Sequence, residues 1–228
     1  MATKIQKRSQ SSKIKKVKRG PNFLIRLYLI SYNIICATLW GIVLFNTVNS
    51  LIKNKGDFKK TYANAAVDLP IVQSLAILEI FHSLFRFVRS PLLTTIMQVF
   101  SRLLLAVGIV YFFPIKEVTE HWALTSMTLA WCITEVIRYL YYFFGLIGYI
   151  PGVLEWCRYT FFYVLYPIGA SSEVIVAYQA RLVIKDISLP LYYALLAILC
   201  FYPFGFIQLY TYMIKQRSKY LADSKKDN

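Results

Sequence analysis

The sequence predicts an all-α, polytopic membrane protein built as a six-transmembrane-helix bundle. Three observations predict it. Hydrophobic residues make up 57% of the 228 positions and charged residues only 16%, against roughly 25% charged in a soluble domain. Six apolar stretches recur along the chain, most of them close to the ~20 residues needed to cross ~30 Å of hydrocarbon. The apolar/polar alternation of a membrane β-barrel, the other way to satisfy a backbone in lipid, is absent. The charge is also sorted. There are 26 Lys+Arg against 11 Asp+Glu, a net +15, with eight basic residues in Met1–Arg19 and five between Lys215 and Lys226. An apolar middle between basic tails excludes a soluble nucleic-acid binder with a polar surface, and a disulfide-rich secreted scaffold.

The chain divides into a basic tail, 1–26, a membrane domain, 27–214, and a second basic tail, 215–228. Leu27–Val48 carries no charge and forms the first span. The tail before it resembles the n-region of a signal peptide. The apolar run is too long for one, however, and no small-residue cleavage site follows in register, so it reads as a retained span. Leu69–Phe85 is shorter and contains Glu79 and His82. Pro91–Phe113 contains Arg102, Trp122–Phe144 contains Glu135 and Arg138, Tyr159–Ala180 contains Glu173, and Leu189–Ile214 is uncharged. The connections, Ser50–Asp68, Arg86–Ser90, Pro114–His121, Gly145–Arg158 and Arg181–Ser188, are too short for a separate soluble domain. No repeat of fixed period occurs.

Six spans place both termini on one side, and the basic tails make that side the cytosol. Lys53, Lys55, Lys59 and Lys60 in the first connection run against this rule but are outnumbered. The last four residues, Lys225-Lys226-Asp227-Asn228, resemble the cytosolic di-lysine signal that returns membrane proteins to the endoplasmic reticulum, an address rather than an anchor.

Ionisable residues inside spans are costly, so each needs a reason to be there. Glu135 and Arg138 are three apart on one helix, where side chains meet, and read as a structural ion pair. Glu79 and His82 share that spacing and read as a hydrogen-bonded packing pair, because no third ligand lies at a metal-site spacing. Arg102 either neutralises a substrate phosphate or snorkels. Glu155 and Arg158 form an interfacial pair. The four cysteines, Cys36, Cys132, Cys157 and Cys200, contain no C-x-x-C and read as small core residues. Cys132 and Arg138 have the C-x5-R spacing of a phosphatase loop. That chemistry needs free backbone N–H groups around a phosphate, and a membrane helix has none to offer.

The fifth span holds an acid–base pattern. Tyr166 and Glu173 are seven apart, two helical turns, so both project from one face. Pro167 removes a backbone donor and bends the helix, and Gly169, Ala170, Ser171 and Ser172 leave a gap between the two polar groups. Spacing alone leaves this pair open between catalysis and a belt tyrosine beside a structural carboxyl.

A set of ordered motifs bears on that choice: Leu78-Glu79-x-x-His82, Gln98-x-x-Ser101-Arg102, Trp131-x-x-Thr134-Glu135-x-x-Arg138-Tyr139, Arg158-Tyr159, Leu165-Tyr166-Pro167-x-Gly169-x-x-x-Glu173, and Gln208-Leu209-Tyr210 with Gln216-Arg217. Together they resemble the 3-hydroxyacyl-CoA dehydratase family of fatty-acid elongation, historically called protein-tyrosine-phosphatase-like. The resemblance implies six spans in the endoplasmic reticulum membrane and dehydration of very-long-chain 3-hydroxyacyl-CoA to trans-2-enoyl-CoA. It also implies a catalytic pair falling on Tyr166 and Glu173, no metal or redox cofactor, and other elongation-cycle enzymes as partners. Basic groups near the cytosolic face, Arg86, Arg89 and Arg158, would then meet the anionic CoA, with Arg102 a further substrate contact. Glu173 lies late in a span running away from the cytosol, so this CoA would need a deep or kinked cleft. The sequence departs from the family at Arg86, where members often carry a small residue, and in its short fifth-to-sixth connection. A catalytically silent scaffold would have lost the pair, which is present, and a transporter would show paired broken helices in two halves, which are absent.

Overall fold

The structure, a computed structural model, describes residues 22–64 and 68–224; the rest of the N-terminal tail and the di-lysine at 225–226 lie outside the described residues. Within them every regular element is helical. The long helices are α1 (Phe23–Lys53), α5 (Leu92–Leu103) continuing as a π-helix over Leu104–Tyr111, α7 (Trp122–Ile147), α9 (Phe162–Ile187) and α10 (Leu189–Ser224). Shorter ones are α2 (Thr61–Asn64), α3 (Leu69–Ser74), α4 (Ile77–Leu84), α6 (Lys116–Thr119) and α8 (Gly152–Thr160). The two expected tails are therefore partly helical: α1 starts before Leu27, and α10 runs past Ile214.

Helix α7 is the centre, with α1 on one side and α9 on the other, and α10 lies outside α9. In α1 the buried positions Leu29, Asn33, Cys36, Trp40, Val43, Thr47 and Ser50 recur every three or four residues, one stripe facing the bundle. Its polar members are satisfied within the helix: Asn33 Nδ2 donates to the Leu29 carbonyl at 2.6 Å, and Thr47 Oγ1 to that of Val43 at 2.7 Å. The remaining surface of α1 is lipid-compatible, with Phe23, Leu24, Ile35, Phe45 and Ile52 exposed. Helix α7 begins where His121 Nδ1 accepts the Ala123 N–H at 3.1 Å. It ends at Gly148, whose φ of +100° suits glycine.

Among the described residues three helices are long and apolar enough to cross a membrane: Phe23–Lys53, Leu92–Tyr111 and Leu189–Ser218. The pair Gly152–Thr160 and Phe162–Arg181, bent by 47°, brings the number to four if it counts as one span. Two of the six expected spans fall short of that description. The second is a short apolar segment, Leu69–Leu84, broken between α3 and α4. The fourth, α7, has the length, but its Thr, Trp, Tyr and charged residues lower its hydropathy. Being central, α7 turns those residues to protein rather than lipid: Thr125, Thr128, Trp131 and Glu135 are all buried. The fifth span bends at Phe161, between α8 and α9, whereas Pro167 is accommodated inside α9.

Four charges form one alternating chain through the bundle. Arg102 of α5 donates to Glu135 Oε1, and Glu135 Oε2 accepts from Arg138 Nε at 2.8 Å. Arg138 then grips Glu79 of α4 with both terminal nitrogens, at 2.8 and 2.7 Å, and the Tyr139 hydroxyl adds 2.5 Å to Glu79 Oε1. The Glu135–Arg138 contact is the one spacing implied. Glu79, however, does not partner His82. It reaches across to α7, and His82 instead shares a 2.8 Å hydrogen bond with the Tyr28 hydroxyl of α1. The i,i+3 rule found the intrahelical half of the network, and the two interhelical links follow from packing.

The α4 terminus puts Arg86 in an unusual backbone conformation. The Phe87 N–H reaches the His82 carbonyl at 2.8 Å and the Arg86 N–H that of Ser83 at 3.1 Å, a Schellman closure that puts Arg86 at φ +57°. An exposed Arg occupies a left-handed position that glycine fills without steric cost. Arg86→Gly is therefore expected to stabilise the protein by about 1 kcal/mol, seen as a higher Tm in detergent; a lower Tm would contradict this reading. Glu135→Gln is expected to cost about 3 kcal/mol or more, because Arg102 and Arg138 both lose their shared anion in a buried site. Unfolding in mixed micelles measures it, and a cost under ~1 kcal/mol would mean the charges behave as a solvated surface pair.

Candidate active site

Helix α9 carries both members of the expected pair. Glu173 sits in the seam where α7, α9 and α10 meet. Its Oε1 accepts the Trp131 indole N–H from α7 at 2.7 Å, and its Oε2 accepts the Tyr202 hydroxyl from α10 at 2.6 Å. Tyr166 lies two turns earlier on the same face, its ring stacked on Phe206 at 5.1 Å and, nearly parallel, on Tyr210 at 6.0 Å. Both Tyr166 and Glu173 are part-exposed. The Tyr166 hydroxyl makes no hydrogen bond among the described residues, so it is free to meet a ligand.

The small residues between them act differently from expectation. Gly169, Ala170 and Ser172 are buried rather than lining a gap, while Ser171 is exposed. A Cβ on Gly169 would stand 3.6 Å from the Ala130 Cβ of α7. Lack of bulk thus lets α9 approach α7, as small residues do between membrane helices. That approach brings the Trp131 indole within reach of Glu173.

Arg102 is committed inside the protein. Besides Glu135 it faces two indoles, 4.2 Å from the Trp131 ring centre and 5.7 Å from that of Trp40. The guanidinium is thus turned towards protein rather than snorkelling to an interface. Arg158 lies over the rings of Tyr141 at 4.3 Å and Tyr142 at 5.0 Å, and it makes no ion pair with Glu155 among the described residues. Nearby, Tyr159 stacks on Tyr220 at 4.4 Å and Arg217 lies over Tyr163 at 5.0 Å. This end, where Arg26 Nε also donates to the Leu146 carbonyl at 2.7 Å, is cationic and aromatic. Arg86 and Arg89 are exposed on the α4–α5 connection. Of the cysteines, Cys36 and Cys132 are buried core residues, Cys157 is half-buried, and Cys200 is exposed on α10, contrary to the uniform core role expected.

Sequence reasoning missed Trp131 and Tyr202. The first opens the motif containing Glu135 and Arg138, so a signal was available. Tyr202 is one tyrosine among 18, and nothing local marks it.

Comparison with known proteins covers most of the chain. Residues 73–223 match the family model described as protein tyrosine phosphatase-like protein, PTPLA. The chain is 37% identical over 216 residues, 89% of its length and 96% of the relative's, to the Arabidopsis thaliana very-long-chain (3R)-3-hydroxyacyl-CoA dehydratase PASTICCINO 2. It is 41% identical over 198 residues, 84% and 91% of the two chains, to a probable very-long-chain (3R)-3-hydroxyacyl-CoA dehydratase of Schizosaccharomyces pombe. To the mouse very-long-chain (3R)-3-hydroxyacyl-CoA dehydratase 2 it is 33% identical over 221 residues, 91% and 86%. No solved structure matches it. With the family model spanning the helices that carry the ion chain and the Tyr166–Glu173 face, the chain belongs to the protein tyrosine phosphatase-like, PTPLA, family.

Proposed function

We propose that this protein dehydrates very-long-chain (3R)-3-hydroxyacyl-CoA to trans-2-enoyl-CoA in fatty-acid elongation, acting as a hydro-lyase. The observation that carries the proposal is the alignment along more than four-fifths of the chain with relatives bearing that name. Tyr166 and Glu173 on one face of α9 support it chemically. The reaction removes a proton from C2, forms the C2–C3 double bond and breaks the C3–O bond. Hydroxide leaves poorly, so one group takes the C2 proton while another protonates the departing oxygen, and water is released. Nothing is oxidised or reduced. Tyr166 and Glu173 divide the two proton transfers between them, and neither transfer calls for a metal or redox group.

The substrate's two halves fit the two ends of this arrangement. The acyl tail lies against the apolar helices of a six-span bundle in the endoplasmic reticulum membrane, with both termini cytosolic. Its CoA approaches the cationic, aromatic end that carries Arg158, with Arg86 and Arg89 near the same membrane face. From Arg158 to Tyr166 is eight residues, about 12 Å of helix rise, and to Glu173 about 22 Å. The bend at Phe161 lies within that path, supplying the kink that a cytosolic CoA needs to reach a part-exposed carboxylate deep in the span. The 225–226 di-lysine acts as the retrieval address, and other elongation-cycle enzymes hand over the substrate and take the product.

Two experiments test this. Purified protein is expected to convert 3-hydroxyacyl-CoA to trans-2-enoyl-CoA, with Tyr166→Phe and Glu173→Gln each losing at least about a hundredfold in kcat; near-normal turnover in both would refute the assignment. For topology, an N-glycosylation acceptor inserted in the 54–60 connection is expected to be glycosylated and one in the 146–151 connection not. The reverse pattern, or modification of both, would overturn the six-span arrangement.

A further inference from the structure

We infer that Trp131 and Tyr202 are positioning residues that set the orientation of the Glu173 carboxylate for the proton transfer assigned to it above, an inference that rests on that reading of the site. Two carboxylates on the helices that pack against α7 or within it, Glu79 and Glu135, are locked by arginines. Glu173 forms no ion pair among the described residues. Its side chain has three rotatable bonds on a helix surface, and only donors from outside the helix can choose one orientation.

The structure supplies one donor per oxygen, from two different helices. An indole N–H only donates, so Glu173 Oε1 is bound as an acceptor whatever the protonation of Oε2. The Tyr202 hydroxyl occupies one lone pair of Oε2 at 2.6 Å. Together the two donors define both the direction and the plane of the carboxylate, and each oxygen keeps a second lone pair for a substrate proton. Trp131 is itself held: it is 4% exposed, and the Arg102 guanidinium lies 4.2 Å from its ring centre. Arg102 is anchored in turn by Glu135. The ion chain therefore reaches the carboxylate at one remove, through an aromatic ring rather than a charge. Tyr202 is also the phenol in contact with Glu173. Tyr166 stands two turns away among Phe206 and Tyr210 and keeps its hydroxyl for the ligand.

The test uses the full-length protein in detergent with a 3-hydroxyacyl-CoA substrate, comparing Trp131→Phe, Tyr202→Phe and Glu173→Gln with the parent. Both Phe variants keep an aromatic ring and remove one donor. Each is expected to lower kcat about ten- to a hundredfold, as loss of a hydrogen bond to a charged group does, with KM within about twofold. The loss is expected in kcat per folded protein, with the yield and monodispersity of each Phe variant equal to the parent's, because both keep the ring that packs at the site. A kcat per folded protein within about twofold of the parent in both Phe variants overturns the inference, and so does a loss matched by an equal fall in folded, monodisperse protein, because a purely structural defect lowers active protein without lowering its turnover. If Glu173→Gln is inactive while both Phe variants match the parent, the positioning role alone fails. If Glu173→Gln turns over normally, the assignment of Glu173 to the reaction fails with it.

Discussion

The structure depends on one constraint: charges buried in a membrane domain must neutralise one another. Arg102, Glu135, Arg138 and Glu79 do so in strict alternation, two cations and two anions, drawn from α5, α7 and α4. Each charge taken out of water carries a desolvation cost of several kcal/mol that excellent geometry must offset. The bidentate grip of Arg138 on Glu79, with Tyr139 adding a third hydrogen bond, has that geometry. A network of this kind specifies arrangement more than it adds stability. Any other register of α4 or α5 against α7 would strand a charge.

Helix α7 consequently serves two masters. One face holds the ion chain to α4 and α5, and another receives α9 through Gly169 and Ala130. Trp131 stands where the two functions meet, stacked beneath Arg102 and hydrogen-bonded to Glu173. Glu173, which forms no ion pair among the described residues, is held by two neutral donors instead. A locked ion pair would hold Glu173 in place but occupy the lone pairs that the proton transfer proposed for it requires. Two single hydrogen bonds orient it and leave capacity in reserve.

Much of this was legible in advance, and the misses share a cause. The Glu135–Arg138 contact and the shared face of Tyr166 and Glu173 are properties of one helix, readable from a period of 3.6. The Glu79–His82 pairing failed because each residue found a better partner on another helix, Arg138 for one and Tyr28 for the other. The gap expected around Gly169 closed for the same reason, since a sequence shows missing bulk but not the neighbour that moves into it. Hydropathy found the lipid-facing helices α1 and α10 readily. It described α7 less well, because α7 packs against protein and its composition answers to those neighbours, and the broken Leu69–Leu84 segment is apolar but too short.

The sequence by itself determined the class, a helical membrane bundle with basic ends, because the lipid solvent leaves a backbone so few options. It also determined the family and the shared helix of Tyr166 and Glu173, because ordered motifs and one-helix spacing are linear properties. Only the tertiary structure decided which carboxylates are neutralised by cations and which one is left to hydrogen-bond donors. That difference depends on which helices lie side by side, and side-by-side contacts between residues such as Trp131, Glu173 and Tyr202 leave no trace in their spacing along the chain.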